Sequence, residues 1–414
     1  MSQVSYRVFS PRDSEEMIDL QRKAYAMPRR AAVWFYEKDE VESLGAFSGD
    51  RLVSALDIIS FRLRLWDRVW PAGGIAAVAT HVEHRKQGHA ANLTRLALQR
   101  MRERGMLVSV LHPFKRAFYR RYGWEHCVDL LHFAIPLSDL YDLDPKSGDS
   151  GVSRFERLRV PAEGPVDMSV PSRIYDACTG RYNCPNARDH EWKALARRLQ
   201  QRIVEGDNVY AYAGFREDEP VSYAFYTIGP SDGPSVIRVM DGNAADARAW
   251  RDLLGFFSLH GEDAGTLDFY AAVDVPVRRI MPEAIRATLQ PSLMFRVVDV
   301  ESFLNGLIVQ DGLGRTGEAA REFYLELTDP LCPWNDGVFH ASLGEEGSAV
   351  RAERCKAGAA SVSVDIAAFS QIASGYVTPG QAREMGRLTV RDAAALRALT
   401  RIFPGRVTFT ADFY

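Results

Sequence analysis

A short glycine-containing segment that could bind a phosphate is the most informative chemical feature of this 414-residue sequence. Residues 74–82 form an apolar run that predicts a strand, and Arg85, Lys86 and Gly88 follow it before a predicted helix at 90–104. A glycine turn at the start of a helix points several backbone N–H groups outward, and the helix dipole favours negative charge there. The spacing therefore predicts a pyrophosphate site where the strand meets the helix.

A second segment places aromatic side chains around another glycine. It reads Phe118-Tyr119-Arg120-Arg121-Tyr122-Gly123-Trp124. Each of the two segments alone is weak evidence for a binding site. A solvated basic turn could have the first sequence, and a few aromatic residues of the core could have the second. Their order and spacing together are more specific than either motif.

The composition argues against several classes of function. The chain is 46% hydrophobic and 25% charged, as is ordinary for a globular protein, and its net charge of −3 argues against nucleic acid as the main partner. No run approaches the roughly 18 apolar residues of a membrane span, and residues 1–12 lack the apolar region of a signal peptide. The five cysteines and nine histidines show no metal or disulfide spacing, so we expect no metal and reduced thiols in the cytoplasm.

Length and pattern predict an α/β (α+β mixed) chain of three domains. Residues 1–148 alternate helices and strands, which is typical of a mixed sheet with helices on its faces. Residues 149–295 contain a predicted hairpin at 210–228 that is similar to the one at 45–58, although two short hairpins can be alike by chance. Residues 296–414 change pattern again and form the third predicted domain.

Periodicity also gives bounds for individual elements. The pattern predicts helices at 13–26, 246–258, 366–374 and 390–403, and strands at 62–70, 106–111, 297–300 and 406–414.

The two motifs carry a resemblance to a known superfamily. R-x-x-G-x-A between a strand and a helix, followed by F-Y-x-x-x-G-W, resembles the acetyl-coenzyme A loop and the later aromatic turn of the GNAT N-acetyltransferases. The middle region resembles a degenerate GNAT copy that lacks the loop. The last region resembles the helical part of the sterol-carrier-protein fold. Two tandem GNAT-like domains and such a tail are similar to the enhanced-intracellular-survival (Eis) family of bacterial N-acetyltransferases.

The resemblance implies an enzyme that uses acetyl-CoA, needs no metal, and acetylates amines of small polycations such as aminoglycosides, at several positions. It also implies a homo-oligomer, usually a hexamer. A protein-lysine or polyamine acetyltransferase is an alternative within the same chemistry. A lipid-binding or scaffolding protein that uses the sterol-carrier-like tail is an alternative from another class.

The resemblance also implies which residues hold the cofactor. The strand would pair its backbone with the pantetheine arm, the loop N–H groups would hold the pyrophosphate, and Phe114 takes a family position near the cofactor. The set is Val78, Ala79, Thr80, Arg85, Lys86, Gln87, Gly88, His89, Ala90, Ala91 and Phe114. We expect the side chains of His84 and His89, which flank the loop, to lie in solvent.

The resemblance implies catalytic roles for Tyr119 and Tyr414 and a substrate-binding role for His112, and the neighbours of Trp34 make it a further substrate-binding candidate. Tyr119 matches the family's general acid, and a phenol of pKa about 10 is still protonated when a thiolate of pKa about 8.5 leaves. The family places the terminal carboxylate, here that of Tyr414, in the site as a base or an orienting group. His112 matches a position near the substrate, with a hydrogen-bonded structural histidine as the alternative. Trp34 heads an aromatic and acidic cluster that suits a polycation, or else lies on an ordinary charged helix.

Overall fold

The computed structural model describes residues 4–10, 13–26, 41–143, 154–230, 233–281, 283–309, 321–345, 347–355, 359–410 and 412. The chain forms two compact units. Unit 1 is built from residues 1–127 and 292–406, and unit 2 from residues 128–291 and 407–413.

The helices and strands alternate along the chain. The helices are α1 (Ser14–Tyr25), α2 (His89–Glu103), α3 (Arg116–Arg120), α4 (Ser169–Thr179), α5 (His190–Val204), α6 (Ala247–Ser258), α7 (Val277–Ile280), α8 (Val300–Asn305), α9 (Ile366–Ser374), α10 (Pro379–Glu384) and α11 (Ala393–Ile402). The strands are β1 (Val4–Val8), β2 (Val41–Ser48), β3 (Arg51–Leu65), β4 (Arg68–Thr80), β5 (Val108–Leu111), β6 (Glu125–Pro136), β7 (Arg154–Arg157), β8 (Asn208–Arg216), β9 (Glu219–Gly229), β10 (Val236–Ala244), β11 (Thr266–Ala272), β12 (Ala287–Val297), β13 (Glu322–Thr328), β14 (Gly337–Ser342), β15 (Arg351–Cys355), β16 (Val362–Asp365) and β17 (Leu388–Val390). None of the described helices has the length and apolar character needed to cross a membrane.

Unit 1 contains a mixed sheet in the order β1-β2-β3-β4-β5-β12. The strands β1 to β4 pair antiparallel, β4 and β5 pair parallel, and β12 pairs antiparallel with β5. Helix α2 packs on this sheet through Leu93, Ala97 and Met101, which are fully buried and spaced so that they share one helix face. The predicted helix at 90–104 and strand at 106–111 are confirmed as α2 and β5.

A second sheet, β15-β14-β13-β16-β17, belongs to the same unit. The indole nitrogen of Trp66, at the tip of the β3–β4 hairpin, donates to the carbonyl of Ala373 in α9 at 2.7 Å, and the Trp66 ring meets Phe403 edge-on. The single strand predicted at 62–70 is therefore wrong. Trp66 and Asp67 have left-handed backbones (φ 53° and 60°) and form a two-residue turn. The buried Trp66 continued the apolar pattern and hid that turn.

Unit 2 contains a sheet in the order β6-β11-β10-β9-β8-β7. Helix α6 packs against one core cluster through Trp250, Leu253 and Phe257, while α4 and α5 share another cluster. The predicted hairpin at 210–228 is confirmed as β8 and β9. The predicted helix at 246–258 is confirmed as α6, which begins where the Asp246 side chain accepts from the Ala249 N–H.

The remaining predictions concern three helices and two strands. The helices at 13–26 and 366–374 are confirmed as α1 and α9. The helix predicted from residue 390 begins later, at Ala393, because Asp392 caps it and β17 takes the preceding residues.

Two further predicted strands are wrong. Strand β12 ends at Val297, and helix α8 begins at Val300. The helix begins there because the Asp299 carboxylate accepts a hydrogen bond from the Ser302 N–H. In the described part of 406–414, Thr408 forms only an isolated bridge, to Asn183. The Asn183 N–H donates to the carbonyl of Val407, and the Asn183 carbonyl accepts from the N–H of Phe409, so the pairing here is confined to one residue of each partner.

A buried ion pair clamps the turn that follows α3. The Arg296 guanidinium, on β12, is fully buried and lies 2.5 Å from the Asp329 carboxylate. It also donates to the Tyr122 carbonyl, in the turn that ends at Gly123. Gly123 has φ 87°, and an added Cβ would overlap the Arg296 guanidinium. Glycine is therefore required here by both conformation and space.

We expect Gly123→Ala to destabilise the chain by about 3 kcal/mol or more, because it strains the backbone and displaces a buried charge. Urea unfolding measures this. Gly105→Ala is the matched control: Gly105 also has a positive φ but has no atom near its Cβ position, so only the backbone cost of about 1–2 kcal/mol applies. Equal losses for the two variants would contradict the clamp.

Candidate active site

The first element of the site is a free strand edge. Strands β4 and β5 pair only at Ala72–Val108, Gly73–Ser109 and Gly74–Val110. Beyond Gly74, β4 continues to Thr80, and the described residues of β5 no longer pair with it. The edge of β4 facing β5 can therefore pair with an added extended chain.

A β-bulge interrupts β4 along this free edge. Asp57 pairs with Ala76 and Ala55 with Ala79, so the register shifts between them, and Ala77 has a left-handed backbone (φ 52°). The bulge takes the carbonyl of Val78 out of the β3 ladder.

The Val78 carbonyl accepts from the hydroxyl of Tyr25 at 3.0 Å. Tyr25 is the last residue of α1, and its ring is 46% exposed while its hydroxyl reaches inward to Val78. Burial of this hydroxyl, and the charge of Asp57, raise the pKa of Tyr25 to about 12. Sequence reasoning missed Tyr25, because only the tertiary contact between α1 and the bulge marks it.

The second element is the positive end of α2. Lys86 and Gly88 have left-handed backbones (φ 61° and 85°), and the first helical bond runs from the Asn92 N–H to the Gly88 carbonyl. No side chain caps Gly88 and no acidic residue lies in the first turn. Helices α6, α8, α9 and α11 instead carry an aspartate cap. The first-turn N–H groups of α2 are thus left for an anion.

The loop side chains add unneutralised charge. Arg85, Lys86, Gln87 and Gly88 are exposed. Within the described ranges Arg85 and Lys86 make no salt bridge, whereas the nearby Glu83 is paired with Arg51 at 2.9 Å. The Arg85 side chain donates to the carbonyl of Thr80, at 3.3 Å. The basic groups therefore face the same solvent space as the helix end.

The expectation that the His89 side chain lies in solvent is wrong. His89 is 6% exposed, and a 3.0 Å hydrogen bond joins its Nδ1 to the Tyr6 hydroxyl, which also accepts from Asn92. The first turn of α2 packs residue 89 inward against β1. Burial, and the nearby His84, lower the pKa of His89, so it is neutral at physiological pH. Only the backbone N–H of His89 remains suited to bind a phosphate.

The third element is Tyr119 on α3. Its side chain is 4% exposed, and its ring meets Phe114 and Phe118 edge-on at 5.6 and 5.0 Å. Burial raises the pKa of Tyr119, so the phenol is protonated at neutral pH. Val78 packs against the same core cluster. The structure thus brings the predicted acid, an aromatic side chain and the bulged strand together.

The other predicted residues differ in how far they are exposed, and two of them lie outside the part of the chain that the structure describes. Ala79 is buried between strands, and Thr80 shares a hydrogen bond with Ser54 at 2.8 Å, so only the backbone of these two can serve a ligand. Ala90 and Ala91 are half-buried in the first turn of α2. His112 is half-buried directly after β5. Phe114 is 70% exposed. Trp34 and Tyr414 lie outside the described residues.

The buried imidazole of His89 should make stability pH-dependent. Because its pKa is lowered in the folded chain, the unfolded chain binds more protons as the pH falls below about 6.5, and stability falls with it. We expect the wild type to lose more stability than His89→Gln between about pH 7.5 and about pH 5.5. Urea midpoints in a phosphate-free buffer measure both losses. Parallel losses in the two chains would show that His89 does not contribute.

Comparisons with known proteins identify the domains. A family model described as an acetyltransferase (GNAT) domain matches residues 5–127, and another with the same description matches residues 185–297. A sterol carrier protein domain model matches residues 300–411. Two Streptomyces proteins named as N-acetyltransferases are similar. The one from Streptomyces avermitilis is 25% identical over 74% of this chain and 73% of its own length, and the one from Streptomyces coelicolor is 26% identical over 67% and 65%.

Solved structures share the whole fold. A GCN5-related N-acetyltransferase from Anabaena variabilis superposes with a TM-score of 0.84 at 20% identity, and Eis1 from Mycobacterium abscessus with 0.77 at 19%. Each comparison covers 100% of both chains. At this identity the likeness concerns the fold alone. With two GNAT domains, a sterol carrier protein domain and N-acetyltransferases among its relatives, the chain is a GNAT-type N-acetyltransferase with an Eis-like architecture.

Proposed function

We propose that the chain transfers an acetyl group from acetyl-CoA directly to an amine of a small polycationic substrate, within a ternary complex. One observation carries the proposal: the uncapped, basic end of α2 lies next to the free, bulged edge of β4. An anion and an extended amide chain are thus accommodated side by side, as the pyrophosphate and pantetheine of coenzyme A require. The proposed acid, Tyr119, packs in the same core as Val78.

Each part of the cofactor has a proposed partner. The N–H groups of residues 88–91 would hold the pyrophosphate, with Arg85 and Lys86 adding charge. The free edge of β4 would pair with the pantetheine. The Val78 carbonyl has two lone pairs, so a pantetheine N–H can share it with the Tyr25 hydroxyl or replace that hydroxyl. Phe114, which is exposed beside Tyr119, would cover the reacting end.

The proposed reaction balances with one acid and one base. The neutral amine nitrogen attacks the thioester carbonyl, a C–N bond forms, and the C–S bond breaks. Tyr119 donates its proton to the departing thiolate and recovers one from solvent. The proton lost by the amine goes to water or to a carboxylate, for which the Tyr414 terminus is proposed. His112 and Trp34 are proposed to position the substrate.

Aminoglycosides are the proposed substrates, because they are small polyamines and because one protein with this fold is named Eis1. Lysine side chains of proteins and simple polyamines present the same nucleophile and are the alternative. A hexameric assembly is proposed on the resemblance alone.

We expect Tyr119→Phe to lower kcat by roughly 10²–10⁴-fold, the usual contribution of a general acid, while CoA binds as before. Free-thiol release measures turnover, and isothermal titration with CoA measures affinity. Tyr122→Phe is the matched control, because Tyr122 is packed against Phe118 and should leave kcat unchanged. Unchanged turnover in Tyr119→Phe would show that Tyr119 is not the general acid.

The substrate is tested by following thiol release from acetyl-CoA with aminoglycosides, polyamines and lysine peptides. We expect release with aminoglycosides, with more than one acetyl group per molecule by mass spectrometry. Thiol release with peptides or simple polyamines alone would support the proposed reaction but would contradict aminoglycosides as the substrates. If CoA itself fails to bind, the acetyl-CoA proposal is lost and a scaffold function is favoured.

A further inference from the structure

The hydroxyl of Tyr25 lies on the free edge of β4, and the proposed reaction assigns it no step. Tyr25 ends α1, and its hydroxyl donates to the carbonyl of Val78 at 3.0 Å. The residue is 46% exposed, so a ligand on this edge can reach its ring. A phenol has one proton, and here that proton is committed to Val78. Towards a ligand, the oxygen of Tyr25 therefore acts as an acceptor.

The reacting end of the cofactor is expected along the same edge. In the proposed function, on which this inference rests, pantetheine starts at the loop before α2 and pairs with β4. The free edge runs from Thr80 back to Ile75, and Gly74 is already paired with β5. Residues 75–80 span about 20 Å at about 3.3 Å per residue. The thioester, at the end of the pantetheine, therefore lies beside this span, to which Val78 belongs.

Tyr25 and Tyr119 lie close together with opposite hydrogen-bonding roles. Val78, which binds the Tyr25 hydroxyl, packs in the same core cluster as Tyr119. Besides burial, ionisation of Tyr25 would raise the pKa of Tyr119, which shows that the two phenols are near each other. Tyr119 keeps a proton that it can give to the thiolate, whereas the proton of Tyr25 is held by Val78. One phenol is thus a donor to the reacting groups and the other an acceptor.

We propose that Tyr25 is a further catalytic residue, whose oxygen accepts an N–H of the attacking amine and holds the nitrogen lone pair towards the thioester carbon. A neutral primary amine has two N–H donors and one lone pair, so it can donate to Tyr25 while it attacks. As the C–N bond forms, the nitrogen becomes positively charged and its N–H groups become stronger donors. The acceptor is therefore most effective in the transition state. The nitrogen then loses its proton to water or a carboxylate, as in the proposed reaction.

The surroundings of Tyr25 suit a nitrogen that becomes cationic. Asp57 is buried on β3, where its carboxylate accepts from the Ser43 hydroxyl at 2.6 Å. Burial of the Tyr25 hydroxyl and the charge of Asp57 raise the pKa of Tyr25 to about 12, so Tyr25 keeps its proton and is not itself the base. The same negative charge stabilises a positive charge that develops nearby. The exposed face of the Tyr25 ring also attracts the ammonium groups of a polycation.

The test compares Tyr25→Phe with the wild type in turnover of acetyl-CoA, with kanamycin as the amine, or spermidine if kanamycin is not acetylated. Wild-type turnover and CoA binding are measured first and judge the proposed function. We expect Tyr25→Phe to lower kcat roughly 10–100-fold, as for a lost hydrogen bond to a group that becomes charged, and to change the Kd for CoA by less than about twofold. Tyr141→Phe, which removes the hydroxyl of another exposed tyrosine, is the control and should keep kcat. An unchanged kcat in Tyr25→Phe, with or without tighter CoA binding, would overturn the assignment.

A second variant separates the acceptor from the contact with Val78. The amino group of p-aminophenylalanine at position 25 can still donate to the Val78 carbonyl, but it accepts weakly because its lone pair is delocalised into the ring. We expect this chain to melt like the wild type and to turn over as slowly as Tyr25→Phe. Wild-type turnover would show that only the contact with Val78 matters, and would overturn the assignment.

The pH profile separates an acceptor from an acid or a base. Tyr25 keeps its proton between about pH 6 and about pH 9, because its pKa is raised to about 12. We therefore expect kcat/KM for the amine to be lower in Tyr25→Phe at every pH of this range, with the shape of the profile unchanged. Loss of one limb of the profile would make Tyr25 a proton carrier and would contradict the assignment.

Discussion

A single buried guanidinium organises the part of unit 1 that follows the proposed acid. Arg296 is fully buried, and its partners are the Asp329 carboxylate, the Tyr122 carbonyl and the Cys332 sulfur. Burying two charges costs several kcal/mol per ion unless the geometry is tight and the other polar atoms are satisfied. The pair therefore fixes three separated parts of the sequence at once. A shift of the aromatic turn after α3 would withdraw the Tyr122 carbonyl and leave a buried guanidinium N–H of Arg296 without its acceptor.

The same interaction explains the glycine of the aromatic turn. In a sequence, a glycine after F-Y-x-x-x indicates a turn. A positive φ in that turn would by itself be a sufficient reason for glycine. In this chain Gly123 also leaves space for Arg296, a residue of β12 far along the sequence. The aromatic motif of the first GNAT domain and the segment leading to the sterol carrier domain thus depend on each other for packing. Residues 1–127 and 292–406 accordingly form one compact unit.

Local features could be predicted from the sequence, and features made by distant contacts could not. The helix α2, the loop before it and the hairpin β8–β9 follow from periodicity and turn residues, which act within a few positions. The turn at Trp66 and Asp67 was missed, because Trp66 is not typical of tight turns and is buried by α9 and Phe403. His89 was placed in solvent because its neighbours are exposed, and only the contact with Tyr6 shows otherwise. The partnership of Arg296 could not be found, since a lone arginine in an apolar strand normally points outward.

The two GNAT domains share a pair of parallel strands that pair over only three residues, β4 with β5 in unit 1 and β10 with β11 in unit 2. A register shift lies in β4 and in β10, and the two domains differ at the helix that follows. In unit 1 a left-handed loop leaves the first N–H groups of α2 free, whereas in unit 2 Asp246 occupies those of α6. The charge at the helix end, rather than the sheet, therefore distinguishes the two helix N-termini as possible anion sites. At the proposed general acid, burial has a further effect. It raises the pKa of Tyr119, which would make a poor acid towards water. A thiolate leaving in the same desolvated site has its pKa raised by the same cause, so the difference that drives the proton transfer is kept.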